Sequence, residues 1–122
     1  MHELSIAMSI VEGASEEAVR HPGERVEVVR LQVGKLSGVV KDALLFSYEL
    51  ACEGTPLMGS RLEIEEIAAA IFCRECNAEK DITSIQDFRC PVCGTASSEV
   101  VRGRELLIIG LELEHEYAAA TG

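Results

Sequence analysis

From Glu3 to Arg20 the apolar residues Leu4, Ala7, Met8, Val11, Ala14 and Ala18 recur at the spacing of one helix face, with Glu12, Glu16, Glu17 and Arg20 mostly elsewhere. The pattern predicts an amphipathic helix that begins almost at the first residue. It stops at His21-Pro22-Gly23, where proline disfavours helical backbone in the residue before it and glycine lets the chain turn. The period then changes to two. "RVEVVRLQVG" is β-branched and largely alternating, so Arg25 to Val33 is expected to be a strand.

In "GKLSGVVKDALLFSYELACEGTP" the helical period returns, with Val40, Ala43, Leu44, Ser47, Leu50 and Ala51 tracing one face. Ser37 is the expected N-cap, and Gly54 with Pro56 the expected stop. A second strand is predicted near Arg61 to Ile67 in "SRLEIEEIAA". A third runs from about Arg104 to Glu114, where Leu111 and Leu113 alternate with Glu112 and Glu114.

The order helix, strand, helix, strand, cysteine-rich segment, strand implies an α+β fold, a two-layer α/β arrangement. Because a strand-helix-strand unit favours a right-handed parallel crossover, the first two strands should be parallel, with both helices on one face. The third strand completes a small three-stranded mixed sheet. All four paired cysteines lie before it, which makes their zinc-ribbon-like module an insertion. The expected division is therefore 1–68 with 104–122 as one domain and 69–103 as the other.

With 122 residues and 48% apolar content, the chain can bury the core of one ordinary domain with a smaller module attached. No apolar run approaches the roughly 20 residues that span a bilayer, and the N-terminus lacks a signal-peptide apolar region. A cytoplasmic protein without membrane contact is expected. The net charge of -10 opposes a phosphate backbone and argues against nucleic acid as a partner.

Four of the five cysteines form two C-x-x-C pairs, "CREC" at Cys73 and Cys76 and "CPVCG" at Cys90 and Cys93, separated by 13 residues. Two such turns can converge four thiolates on a tetrahedral ion, as structural zinc requires. Asn77 and Gly94, which follow the two pairs, are residue types that tolerate the left-handed backbone of a metal-binding knuckle. Iron, which soft thiolate ligands also hold, is one alternative, and a dithiol redox pair is another. A closed site of four thiolates leaves no open position for a substrate. Cys52, near the end of the second helix, reads as a small buried hydrophobe.

"MHELSIA" at the start permits a second kind of metal chemistry. The Met1 amine, the ionised His2 amide and the His2 imidazole Nδ1 can close adjacent chelate rings around one ion. A fourth position can come from the Glu3 amide, the Glu3 carboxylate or another molecule, giving a nitrogen-rich plane suited to Ni(II) or Cu(II). His21, beside a turn, and His115, among Glu112, Glu114 and Glu116, read as solvated residues. No serine, histidine and carboxylate set defends a catalytic arrangement, so no enzyme is expected.

The start "MHELSIA", the central "VGKLSGVVKDALLFSYEL" with its V-G-x-x-S-G-V and following helix, and the pairs "CREC" and "CPVCG" together resemble the HypA/HybF family of nickel metallochaperones for nickel-iron hydrogenase maturation. The resemblance covers nearly the whole chain. It implies an α/β nickel-binding domain with an inserted zinc domain. His2 would be the principal nickel ligand, with Glu3 beside it and Met1 through its terminal amine, while Cys73, Cys76, Cys90 and Cys93 hold zinc. Nickel is then the transported ion and zinc the structural one. The implied partners are an accessory GTPase and the hydrogenase large subunit, with the protein itself a monomer or weak homodimer. Two rival readings are a zinc-ribbon adaptor in which Met1-His2 is incidental, and a dithiol oxidoreductase.

Overall fold

The computed structural model describes residues 3–82 and 87–115, without the side chain of His115. In chain order the elements are α1 (Glu3–Ala18), β1 (Glu24–Gly34), α2 (Lys41–Cys52), β2 (Arg61–Ile67), β3 (Ala70–Cys73), β4 (Ala78–Asp81), β5 (Val100–Arg102) and β6 (Leu106–His115). They form two three-stranded sheets, in the orders β2-β1-β6 and β4-β3-β5.

The first sheet is mixed, as expected. Arg30 pairs with Glu63 at 2.7 Å, and the Lys35 N–H donates to the Ile67 carbonyl at 3.0 Å, so β1 and β2 advance together and are parallel. Arg25 meets Glu114 at 3.3 Å, and the Gly34 N–H donates to the Glu105 carbonyl at 2.7 Å, so β6 runs antiparallel to β1. β1 carries much of the core through Val26, Val28, Val29, Leu31 and Val33. Its buried positions switch from even to odd between Val28 and Val29, a break in strict alternation that the sequence pattern blurs.

Two compact units divide the chain. One holds the described residues of Met1–Leu31, Val40–Ile64 and Ile108–Gly122; the other holds Gln32–Val39 and Glu65–Leu107. In the first, α1 and α2 pack on each other. The buried stripe of α1 is Ile6, Ala7, Ile10, Val11 and Ala14, and that of α2 is Leu44, Tyr48 and Cys52. The predicted stripes are rotated from these: Leu4, Met8, Val40 and Leu50 are exposed. Both helices carry apolar residues over a wide arc, so periodicity finds the helix more surely than its inner edge. Cys52 is buried, as its sequence context implies. The buried Tyr48 hydroxyl finds a partner in Ser60 Oγ at 2.7 Å, and the Ser60 hydroxyl lies 2.5 Å from the Leu57 carbonyl oxygen.

Ser37 does not cap α2. The helix starts later, with Val40 as N-cap and no side-chain cap of its own. Ser37 Oγ instead accepts from the Val39 N–H at 3.3 Å, and Gly38 has φ of 80°, so "SG" builds a turn. At the other end α2 stops as predicted: Gly54 takes φ of 73° and the Thr55 N–H donates to the Cys52 carbonyl at 3.0 Å.

The second unit contains β3, β4 and β5, strands of three and four residues that sequence periodicity does not detect. β3 is central and antiparallel to both neighbours. Ala69, Ile71 and Ile82 form its small core, with Leu36, Phe88 and Val100 packed against them. Gly34 and Gly103 allow two backbones to touch within this unit: the Leu36 N–H donates to the Gly103 carbonyl, and a Cβ on Gly34 would fall 2.0 Å from the Gly103 oxygen. Gly34→Ala is therefore expected to cost about 1–3 kcal/mol by overpacking and to lower the midpoint of thermal unfolding by several degrees. Calorimetry of the variant checks this, and an unchanged midpoint would contradict the close approach.

Candidate metal centre

The second unit delivers one cysteine from a strand and three from turns. Cys73 is the last residue of central strand β3, and Cys76 follows in the turn to β4. Cys90 and Cys93 lie on a second turn, closed by the Gly94 N–H donating to the Cys90 carbonyl and the Cys90 N–H to the Thr95 carbonyl, each at 2.9 Å. Asn77 and Gly94 both take positive φ, 52° and 78°, so the residue after each pair is left-handed as predicted. Asn77 is the sole non-glycine residue to do so among the described residues.

All four Sγ atoms lie within 4.8 Å of one another. Cys73 and Cys93 approach to 3.5 Å and Cys76 and Cys90 to 3.9 Å, so each close contact reaches from one pair to the other. A tetrahedral ion bonded to sulfur at about 2.3 Å sets its ligands about 3.8 Å apart, so the constellation fits one four-coordinate ion. The Cys76 N–H lies 3.4 Å from Cys73 Sγ, the backbone-to-sulfur contact of a metal knuckle.

The thiols differ electrostatically. Cys93 is lowered to about 6, chiefly by the hydrogen bond with Thr95, whose Oγ1 lies 3.2 Å away. Cys90 is lowered by the backbone N–H of Cys93. Cys76 is raised to about 12, first by its hydrogen bond with the Cys93 sulfur and then by that with Cys73. The metal-free site thus offers Cys93 as thiolate at neutral pH and keeps a proton on Cys76. Metal must displace that proton, so binding releases protons and strengthens as pH rises. Thr95 is a contributor that sequence reading passed over; a hydroxyl two residues after a ligand cysteine was the available signal.

The other candidate residues are scattered. Met1 and His2 lie outside the described residues. Glu3 opens α1, and its Oε2 accepts from the Val40 N–H at 3.2 Å. His21 stands between Glu17, 3.4 Å from Nε2, and Glu24, 3.2 Å from Nδ1. Its partial exposure agrees with a solvated turn residue. His115 ends β6. Glu112 and Glu114 do face solvent, but as ion-pair partners of Arg30 and Arg25. Among the described residues, the four cysteines are the one group of three or more histidine, cysteine or acidic side chains able to share an ion, and no helix is long and apolar enough to cross a membrane.

Comparison with known proteins agrees with this geometry. The family model described as "Hydrogenase/urease nickel incorporation, metallochaperone, hypA" matches residues 1–113. The hydrogenase maturation factor HypA of Chloroflexus aurantiacus is 49% identical over 112 residues, covering 92% of this chain and 98% of the relative. That of a Roseiflexus species is 47% identical over 121 residues, covering 99% and 98%. Two solution structures share the fold at 22% identity over 95% of this chain. The Ni metallochaperone HypA from Helicobacter pylori has a TM-score of 0.64 and is covered completely; a second HypA protein has 0.68 and is covered to 98%.

A two-helix, three-stranded domain with an inserted four-cysteine metal-binding module, matched over nearly its full length, defines a maturation factor of the metallochaperone class rather than an enzyme. The chain belongs to the HypA family.

Thr95→Val is expected to move the Cys93 thiol up toward its ordinary range, because the hydroxyl that favours the thiolate is gone. Thiolate absorbance of metal-stripped protein, followed against pH, checks this. The unaltered protein should develop a thiolate near pH 6, and in the variant that titration should move to higher pH.

Proposed function

We infer that this protein is a nickel carrier for hydrogenase maturation. It binds Ni(II) at Met1, His2 and Glu3 and passes it by ligand exchange to the hydrogenase large subunit, together with an accessory GTPase, in the cytoplasm. The observation that carries this reading is the family match, which runs through these first residues to residue 113.

The chemistry of the terminus supports it. His2 supplies Nδ1 and its amide, Met1 its amine, and Glu3 its own amide. The amide of a first helical residue is not part of the helix ladder, so its ionisation breaks no rung. Nitrogen donors in this number suit Ni(II), and binding through ionised amides strengthens as pH rises. A ligand set at a chain end can also release its ion one bond at a time, which suits delivery.

Zinc is the ion we assign to Cys73, Cys76, Cys90 and Cys93. The sulfur spacing and the closed tetrahedral donor set suit a structural ion, with residues 69–103 as the zinc domain and 1–68 with 104–122 as the nickel domain. Zinc here completes a module whose own apolar core is only a few side chains, so its binding energy becomes folding energy. The protein acts as a monomer or weak homodimer.

Nickel titration at fixed pH tests the carrier reading on the unaltered protein, on His2→Ala and on a variant with residues added before Met1. Both variants are expected to lose at least tenfold in affinity, a difference of about 1.4 kcal/mol. Equal binding by all three would reject the terminal site. For the second metal, Cys73→Ala should lose bound zinc and several kcal/mol of stability in parallel. Retained zinc at unchanged melting temperature would reject the four-cysteine assignment.

A further inference from the structure

α2 begins without the usual local device. Its N-cap is Val40, whose side chain can accept nothing, and no side-chain cap serves the helix. The nearest acidic residue in sequence, Asp42, lies inside the first turn. The acceptor comes from 37 residues away: Glu3 Oε2 takes the Val40 N–H at 3.2 Å. Glu3 is the first residue of α1, so one carboxylate joins the starts of two helices that pack on each other.

A charge-assisted hydrogen bond to a helix N-terminus places a carboxylate where the helix dipole favours it. It also fixes what would otherwise fray. The first turn of a helix makes no ladder bonds through its own N–H groups, and terminal turns open most readily. Holding Glu3 to Val40 gives α1 a defined first residue, and thus gives any ligand preceding it a defined point of departure.

We propose that the Glu3 side chain is a positioning residue, a clamp from α1 to the N-cap of α2, and not a metal ligand. This rests on the nickel reading given above only for its functional consequence; the clamp itself is a property of the metal-free protein. Glu3 then enters nickel coordination through its backbone nitrogen alone, while its carboxylate holds the first residue of α1 to the start of α2.

Three variants separate clamp from ligand. Glu3→Ala removes the acceptor. Glu3→Gln keeps a side-chain carbonyl that can accept from Val40 but is a poor ligand. Val40→Pro removes the donor and touches no candidate ligand, and the φ of -89° at Val40 is near the value proline imposes. Two readouts are taken: nickel affinity, and amide exchange in nickel-free protein at Ala7 and Met8, whose helix partners are the carbonyls of Glu3 and Leu4.

Glu3→Ala and Val40→Pro should each exchange about tenfold faster at these amides and bind nickel about tenfold more weakly, the size expected for a hydrogen bond to a charged group. Glu3→Gln should stay within about threefold of the unaltered protein on both counts, since it keeps the acceptor and loses only the charge-assisted part of the bond. Val40→Pro behaving like the unaltered protein, with Glu3→Gln as impaired in nickel binding as Glu3→Ala, would make the carboxylate a ligand and overturn the clamp. Should Val40→Pro not unfold cooperatively, the contrast of Glu3→Ala with Glu3→Gln decides on both readouts. If even the unaltered protein binds no nickel, the exchange data still decide. Unchanged protection in Glu3→Ala and Val40→Pro overturns the clamp, whereas lost protection upholds it and rejects only the nickel reading.

Discussion

Four sulfur atoms within 4.8 Å of one another set the terms for the second half of this protein. Ionised together without a cation they would repel, and protonated they would be poor ligands, so the group is at ease only around a positive ion. The surrounding sheet cannot supply what the ion supplies. Its strands have three or four residues, and its core rests on Ala69, Ile71 and Ile82. Small modules of this kind need a staple. Because Cys73 is both a ligand and the end of the central strand, the staple is fixed directly to the ladder it stabilises.

The two metal chemistries that this family reading assigns to one chain differ in kind. The cysteine site is closed, soft and built from turns whose backbone geometry is set by Asn77 and Gly94. The proposed nickel site is open and rich in nitrogen, at the end of the chain. A closed thiolate cage suits an ion that stays, and an open chelate one that leaves. Acid must return protons to sulfur before the caged ion is lost, so such a cage holds its ion against competing protons as well as against competing ligands.

Much of this was legible in the sequence because it is local. The helices and the long strands announce themselves by period, the stop of α2 by Gly54, and the knuckles by the residue following each cysteine pair. What was hidden is either too short or too distant. β3, β4 and β5 are briefer than any periodic window, and the alanines at 68–70 look like a bland run although Ala69 and Ala70 are buried. Ser37 is a good cap by residue type, yet the carboxylate that meets the helix belongs to Glu3, and no local rule reaches that far. Gly34 reads as an ordinary strand-ending glycine until Gly103 is seen against it.

The contact at Val40 has one more property. It is made by a main-chain N–H, and the side chain there is exposed, at 59% of its full accessible area. Nearly every amino acid presents the same N–H, so position 40 can drift through evolution while the bond persists. A column of aligned relatives that varied freely at this position, and so looked unimportant, would still conceal an invariant interaction. Only the side-chain acceptor at the far end, position 3, would leave a mark in the sequences.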